Sequence, residues 1–187
     1  PVCLNLGDHI FFGNDVTKKL KKNINNFSKT TIFAYNSNKY KEYGVINFDK
    51  NNKPISIIEK PNKSKSKSIV CGLYCYDQNV VEFSKKLKFS NRDELEISDL
   101  NNIYLKNKSL NIEMINDKNY WIDAGTPKKI LQASKMVSTL EKKNNDHIGC
   151  IEIIAFKKGF INLKQYKYFI EIYKDSHYGN ILRSIIN

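Results

Sequence analysis

Three short segments end apolar runs with charged side chains beside glycine or proline: LGDH at 6–9, IIEKP at 57–61 and WIDAGT at 121–126. The chemistry on offer is three carboxylates, Asp8, Glu59 and Asp123, and one ammonium, Lys60. In α/β sheets ligands gather outside the carboxyl ends of the strands, and each segment reads as such an end. Asp8 and Asp123, converging from separate strands, make a hard-oxygen site suited to Mg²⁺. That ion takes one or two protein carboxylates and fills its shell with water and phosphate oxygens. Gly7 and Gly125, close by, let bulky phosphate oxygens approach the backbone. Plain structural readings compete with these. Asp8 also suits a strand-end cap, Asp123 a helix-opening residue, and Glu59-Lys60 a solvated charge pair of little energetic weight.

The elements that must position these groups follow from pattern. VCLNLGDHIFFG predicts one buried strand ending at Gly7-Asp8. Asp15 then suits an N-cap, with Val16, Leu20, Ile24 and Phe27 near helical spacing. KTTIFAYNS is a second apolar strand. EYGVINFDKNNKPISIIEKP alternates as a hairpin, its turn at Lys50–Pro54. SIVCGLYCYD predicts a strand whose Asp77 caps the helix QNVVEFSKKLKF. DELEISDLNNIYLKN is a helix with Leu95, Leu100, Ile103 and Leu105 inward, and SLNIEMIN a strand. YWIDAGT reads as a turn before a helix with Pro127 in its first turn, its stripe formed by Ile130, Ala133, Val137 and Leu140. From about Asp146 the sequence turns to consecutive helices, the first stopped by Gly159. Strands alternating with helices argue an α/β core at 1–145 and a helical tail at 146–187.

Composition bounds the function. At 187 residues and 41% hydrophobic, the chain is long enough for a packed core. No run approaches the ~20 apolar residues of a membrane helix, and no secretory leader opens it. Four cysteines without C-x-x-C spacing suit reduced, packed thiols in a cytoplasmic protein. The net charge of +12 comes from lysines spread along the whole chain, which argues against nucleic acid and suits small anionic substrates. Apolar residues from the second position, with no initiator Met, lead us to expect a piece of a longer protein.

Together, LGDHIFFG, YGVINF, IIEKP, VCGLYCYD, DELEISDLNNIYL and WIDAGT, in this order, resemble the bacterial sugar-phosphate nucleotidylyltransferases, in particular those that act on glucose 1-phosphate with dTTP. The resemblance runs through the tail IEIIAFKKGFI. It departs at His9, where the family usually has Asn (LGDN), and at Ile122 and Ala124 (commonly WLDTGT). Neither departure replaces a carboxylate. The family's glycine-rich triphosphate loop and base-reading residues have no counterpart here and would precede residue 1.

The resemblance implies a Rossmann-like mixed sheet flanked by helices, and Mg²⁺ on Asp8 and Asp123. Gly44 would offer its amide to a sugar hydroxyl, with Tyr43 beside it. Glu59 would hold hydroxyls and Val70 would line the sugar pocket. Lys60 would meet the sugar phosphate, worth about 4 kcal/mol at surface-like dielectric. Trp121 belongs to the pocket wall, as packing or contact. Bland alternatives stand beside these: Gly44 relieving a bulge, Arg92 on the surface, His9 structural. The aromatic tail (Phe156, Phe160, Tyr166, Phe169, Tyr173) reads as a subunit or core face, and the resemblance favours an interface that assembles an oligomer with a regulatory site between subunits. The implied reaction joins dTTP and glucose 1-phosphate to give dTDP-glucose and pyrophosphate. Alternatives are uridylyl, cytidylyl or adenylyl transfer, or a non-catalytic sugar-phosphate-binding module.

Overall fold

The computed structural model describes residues 1–116, 120–144 and 147–186. Along the chain run β1 (Val2–Asn5), β2 (His9–Phe12), α1 (Asn14–Asn25), β3 (Thr30–Asn36), β4 (Gly44–Phe48), β5 (Pro54–Glu59), β6 (Ser68–Tyr76), α2 (Val80–Ser84), α3 (Ile97–Lys106), β7 (Leu110–Met114), β8 (Tyr120–Asp123), α4 (Pro127–Asn144), α5 (Ile151–Lys157), α6 (Leu163–Ile172) and α7 (His177–Arg183). Two compact units divide them, Pro1–Ile130 and Leu131–Asn187. The domain boundary expected between residues 145 and 146 lies outside the described residues.

In the first unit, β6 is the central strand. Its side chains alternate between two covered faces, Val70, Tyr74 and Tyr76 on one and Cys71, Leu73 and Cys75 on the other. A near-continuous apolar run is what a strand buried on both faces requires. The sheet order is β5-β4-β6-β3-β7, with β1 also paired to β6, and a separate ribbon joins β2 to β8. β3 and β7 run parallel and the other pairs antiparallel, so the sheet is mixed. Val80, Phe83, Leu100 and Tyr104 of α2 and α3 pack on one face. Val16 and Leu20 of α1, with Phe11 and Trp121 of the ribbon, pack on the other. This is the flanked α/β sheet that the alternating pattern predicts.

Several local expectations are corrected. VCLNLGDHIFFG is two strands in two sheets, and β1 is not buried: it pairs with β6 along one edge and its side chains face solvent, Val2 being 51% exposed. YWIDAGT contains a strand, β8, because Tyr120–Asp123 finds a partner in β2. Asp15 is not the N-cap of α1. Gly13 holds that position, while the Asp15 carboxylate accepts bonds from Lys19 Nζ and the Asn116 amide. The helix after Asp77 spans only Val80–Ser84, although Asp77 does accept the Asn79 amide at 2.9 Å. Leu95 precedes α3 and is exposed; the buried positions there are Ser98, Leu100, Asn101 and Tyr104. Ile130 is exposed, whereas Ala133 and Leu140 are buried. The hairpin forms as read, its turn organised by Asp49, whose Oδ1 accepts the amides of Asn51 and Lys53 at 2.8 Å each.

The second unit contains the helices α5, α6 and α7. Gly159, at φ 72°, ends α5 in a Schellman turn: Phe160 N donates to Ala155 O and Gly159 N to Phe156 O. Asn162 and Gln165 form a capping box that starts α6. Tyr166 is fully buried, stacks on Phe156 at 4.5 Å and donates to Leu182 O. Phe160, by contrast, is 79% exposed. Among the described residues no helix is long and apolar enough to cross a membrane.

One side chain ties α3 to the strand that carries Glu59. Asn102 donates to Ile57 O at 2.7 Å and accepts from Ile57 N at 2.9 Å, pairing the free edge of β5 as a neighbouring strand would. Asn102→Ala removes both bonds and strands two backbone groups of β5. Thermal unfolding is expected to register a loss of about 1–3 kcal/mol, and an unchanged midpoint would rule the clamp out.

Candidate active site

The ribbon decides which charges meet. Antiparallel pairing sets His9 opposite Asp123, and the Ala124 amide donates to Asp8 O at 2.7 Å, carrying the pairing one residue further. Asp8 and Asp123, distant in sequence, become neighbours at the ribbon's end. A carboxylate oxygen of each and a ring nitrogen of His9 lie within 4.8 Å of one another. A Cβ on Gly125 would stand 2.8 Å from Asp8 Oδ2 and 3.0 Å from Asp123 Oδ1, so glycine keeps that space open. The plain readings of both aspartates fail here. The turn before β2 is closed by His9 N donating to Leu6 O, and among the described residues no group donates a hydrogen bond to the Asp8 carboxylate. At the start of α4, Thr126 Oγ1 accepts the Lys129 amide, the opening role considered for Asp123.

Asp123 is the better-held of the two, its side chain 14% exposed against 49% for Asp8. Its Oδ2 accepts from Lys129 Nζ at 2.8 Å and Tyr43 Oη at 2.9 Å, and its Oδ1 from the Gly125 amide at 2.8 Å. Burial alone would raise its pKa. The bonds from Lys129, Gly125 and Tyr43 outweigh burial and hold it at about 2. Tyr43 is pushed up to about 12, first by burial and then by the Asp123 carboxylate, so it stays a phenol and a donor. Lys129 is raised by Asp123 and by Glu42, whose Oε2 it meets at 2.8 Å. Lys129 and Glu42 were not singled out from sequence. A signal existed: Lys128-Lys129 sits in the first turn of α4, where the helix dipole disfavours cations.

The other wall comes from the hairpin. Register pairs Gly44 with Glu59, and the ladder's one shift falls at Asn47/Phe48, so Gly44 relieves no bulge. A Cβ on Gly44 would lie 2.6 Å from Ser98 Oγ and 3.2 Å from Glu59 Oε2. Glycine is there because side chains crowd the backbone. Ser98 Oγ donates to Glu59 Oε2 at 2.5 Å, and Arg92 Nη1 stands 3.8 Å from Glu59 Oε1 while bonding Glu94. Glu59 and Lys60 therefore do not form a pair with each other. Lys60 N donates to Tyr43 O at 3.1 Å, and Pro61, lacking an N–H, follows the end of β5. Lys60 has φ 40°, a left-handed conformation that costs a non-glycine residue energy and clusters at functional sites. Its side chain is exposed, and among the described residues its ammonium has no partner.

These groups enclose a cavity of about 220 Å³. Asp8, Tyr43, Gly44, Glu59, Lys60 and Asp123 line it, and Val70 and Tyr74 supply apolar wall. Trp121 does not reach it. The indole packs edge-on against the His9 and Tyr43 rings, with centroids 5.5 and 5.1 Å away. Ser98, which sequence reading passed over, orients Glu59; a lone serine inside a helix carries no signal of that role.

Along most of its length the chain is similar to known proteins. The model of the nucleotidyl transferase family matches residues 1–139. Over 185 residues the chain is 38% identical to the glucose-1-phosphate thymidylyltransferase of Neisseria meningitidis serogroup A, covering 99% of this chain and 64% of that protein. The enzyme of the same name from Mycolicibacterium smegmatis is 37% identical over 186 residues, again with 64% of its length covered. The chain thus spans under two thirds of these curated relatives. A Bacillus anthracis crystal structure assigned as a glucose-1-phosphate thymidylyltransferase, with sucrose bound, superposes with TM-score 0.61 at 35% identity, over 72% of this chain and 53% of that one. A UDP-glucose pyrophosphorylase bound to UDP-glucose gives TM-score 0.64 at 19% identity, over 73% and 55%, a likeness of fold alone. With residues 1–139, most of its length, matched by the family's model, the chain belongs to the nucleotidyl transferase family.

Proposed function

We propose that this chain forms the sugar-phosphate side of an enzyme that transfers a thymidylyl group from dTTP to glucose 1-phosphate, releasing dTDP-glucose and pyrophosphate. The observation that carries the reading is the cavity itself. Two aspartates stand on one wall, a glutamate that accepts the Ser98 hydroxyl on the other, and at the rim a lysine with no partner among the described residues. The names of the relatives favour thymidine as the base and glucose 1-phosphate as the acceptor. Sequence outside these 187 residues is assigned the triphosphate and the base, so the chain alone is not expected to turn over.

The aspartates fit the Mg²⁺ that the family implies: both carboxylates are hard oxygen donors, and Gly125 leaves clear the space beside them that a Cβ would fill. Bound there, Mg²⁺ supplies positive charge to phosphate oxygens. The protein's own groups hold and orient. Lys129 and Tyr43 keep Asp123 ionised and fixed in direction. Glu59, held by Ser98, accepts hydroxyls of the sugar, and the bare backbone at Gly44 lets the ring come close. Lys60 neutralises and aims the sugar phosphate. One of its oxygens attacks the α-phosphorus of dTTP, forming the new P–O bond as the bond to pyrophosphate breaks. The protein contributes position and charge and forms no covalent intermediate. The exposed apolar residues of the second unit, Ile151, Phe160 and Tyr168, suit a homo-oligomer contact. The location proposed is cytoplasmic, with no membrane or nucleic-acid partner.

In the intact protein, Asp123→Asn is expected to lower turnover by about 100-fold or more with circular dichroism and melting unchanged. Near-normal turnover in the folded variant would reject the aspartate pair. Lys60→Met is expected to raise KM for glucose 1-phosphate while leaving dTTP binding alone, measured by titrating each substrate separately. Among dTTP, UTP, CTP and ATP, dTTP is expected to give the highest kcat/KM; preference for another base would keep the chemistry and change the assignment.

A further inference from the structure

His9 sits beside the two aspartates in a seat built for its ring. Its side chain is 7% exposed. β6 carries a register irregularity where it passes the His9 side chain, and Gly72 there has φ 71°. A Cβ on Gly72 would overlap the imidazole. Cys71 O lies 2.9 Å from Nδ1 and Trp121 Nε1 lies 3.4 Å from the same atom. Both cannot be satisfied, since a protonated Nδ1 donates to the carbonyl and cannot accept from the indole. The shorter contact, to a strong backbone acceptor, places the proton on Nδ1, and Trp121 is left as edge packing.

The tautomer leaves a lone pair on Nε2. That nitrogen stands 3.7 Å from Asp8 Oδ1, and among the described residues none donates a hydrogen bond to it. Ligands about 2.1 Å from one cation are separated by at most about 4.2 Å; Nε2 is 3.7 Å from Asp8 Oδ1, and one ring nitrogen of His9 and one oxygen of each carboxylate lie within 4.8 Å of one another. A histidine whose far nitrogen donates to a backbone carbonyl, with the near one turned toward carboxylates, has the arrangement of a metal ligand and its supporting shell. A purely packed histidine has no need of it.

We propose that His9 Nε2 is a third protein ligand of the cation at Asp8 and Asp123, and that this nitrogen shifts the site's preference from Mg²⁺ toward Mn²⁺ and Co²⁺. Mg²⁺ favours all-oxygen shells, whereas imidazole gains affinity along the first transition row. The proposal rests on reading the aspartates as a cation site.

The test uses the intact protein with Mn²⁺, Co²⁺ and Mg²⁺ as chloride salts, without substrates. Pulsed paramagnetic resonance of the Mn²⁺ form, with and without ¹⁵N-histidine labelling, is expected to reveal a directly bound imidazole nitrogen. His9→Asn and His9→Phe are expected to abolish that coupling, to weaken Co²⁺ binding by about 10- to 100-fold, and to change Mg²⁺ binding far less. An unlabelled-like wild-type spectrum, or an unchanged Co²⁺/Mg²⁺ affinity ratio in the variants, would overturn the assignment. Asp123→Asn separates the two levels: if it abolishes binding of all three ions while the His9 variants alter nothing, the carboxylate site stands and His9 is not a ligand. If Asp123→Asn also binds normally, both readings fail. Should the His9 variants not fold, the wild-type nitrogen coupling decides alone.

Discussion

The site depends on the antiparallel pairing of β2 with β8. Eight residues in a separate two-stranded ribbon place Asp8 and His9 against Asp123. The pairing has an electrostatic cost. Two carboxylates less than 5 Å apart repel by up to about 3–4 kcal/mol at an effective dielectric near 20, an upper figure because Asp8 is half exposed. The offset is local: Lys129, Tyr43 and the Gly125 amide all converge on Asp123. The helix start that carries Lys129 is thereby part of the site. The ribbon in turn is held by its apolar underside, with Phe11 and Trp121 packed on the second face of the main sheet.

The opposite wall obeys a different constraint, steric rather than electrostatic. Gly44, Glu59 and Ser98 occupy so little space that any larger residue at Gly44 would displace the carboxylate from its hydroxyl donor. α3 supplies Ser98 toward the cavity and Asn102 toward the edge of β5, one helix thus setting both the position and the orientation of Glu59. Lys60 follows at once in a left-handed backbone conformation, beyond the last ladder residue. The hairpin and the ribbon meet through Tyr43, whose carbonyl accepts from Lys60 and whose hydroxyl donates to Asp123.

Much of this was legible in the residues, for stated reasons. The hairpin was readable because alternation and turn chemistry agree, and α4 because Pro127 fits only its first turn. The buried strands β3 and β6 announced themselves by unbroken apolar runs. The division of VCLNLGDHIFFG was not readable, since both halves are apolar and the turn between them, Leu6–Asp8, looks like a strand end. Four residues of YWID carry too short a pattern to declare a strand without their partner. The meeting of Asp8 and Asp123 was read from two apolar runs that each end in an aspartate near a glycine, and then from family likeness; their pairing register was not readable, because a long-range pairing leaves no local mark. Ser98 acts through a tertiary contact and was invisible for the same reason, while Lys129 left only the mark of a cation in the first turn of α4.

The central claim is that one cavity holds a divalent cation at the Asp8–Asp123 wall and a sugar phosphate at the Glu59–Lys60 wall. Anomalous scattering from a crystal of the intact protein grown with Mn²⁺ and glucose 1-phosphate tests it most directly. The account expects a single manganese peak between the two aspartates, with the sugar's phosphate beside Lys60 and its hydroxyls on Glu59. A peak elsewhere, or a hexose bound away from the β4–β5 hairpin, would contradict it.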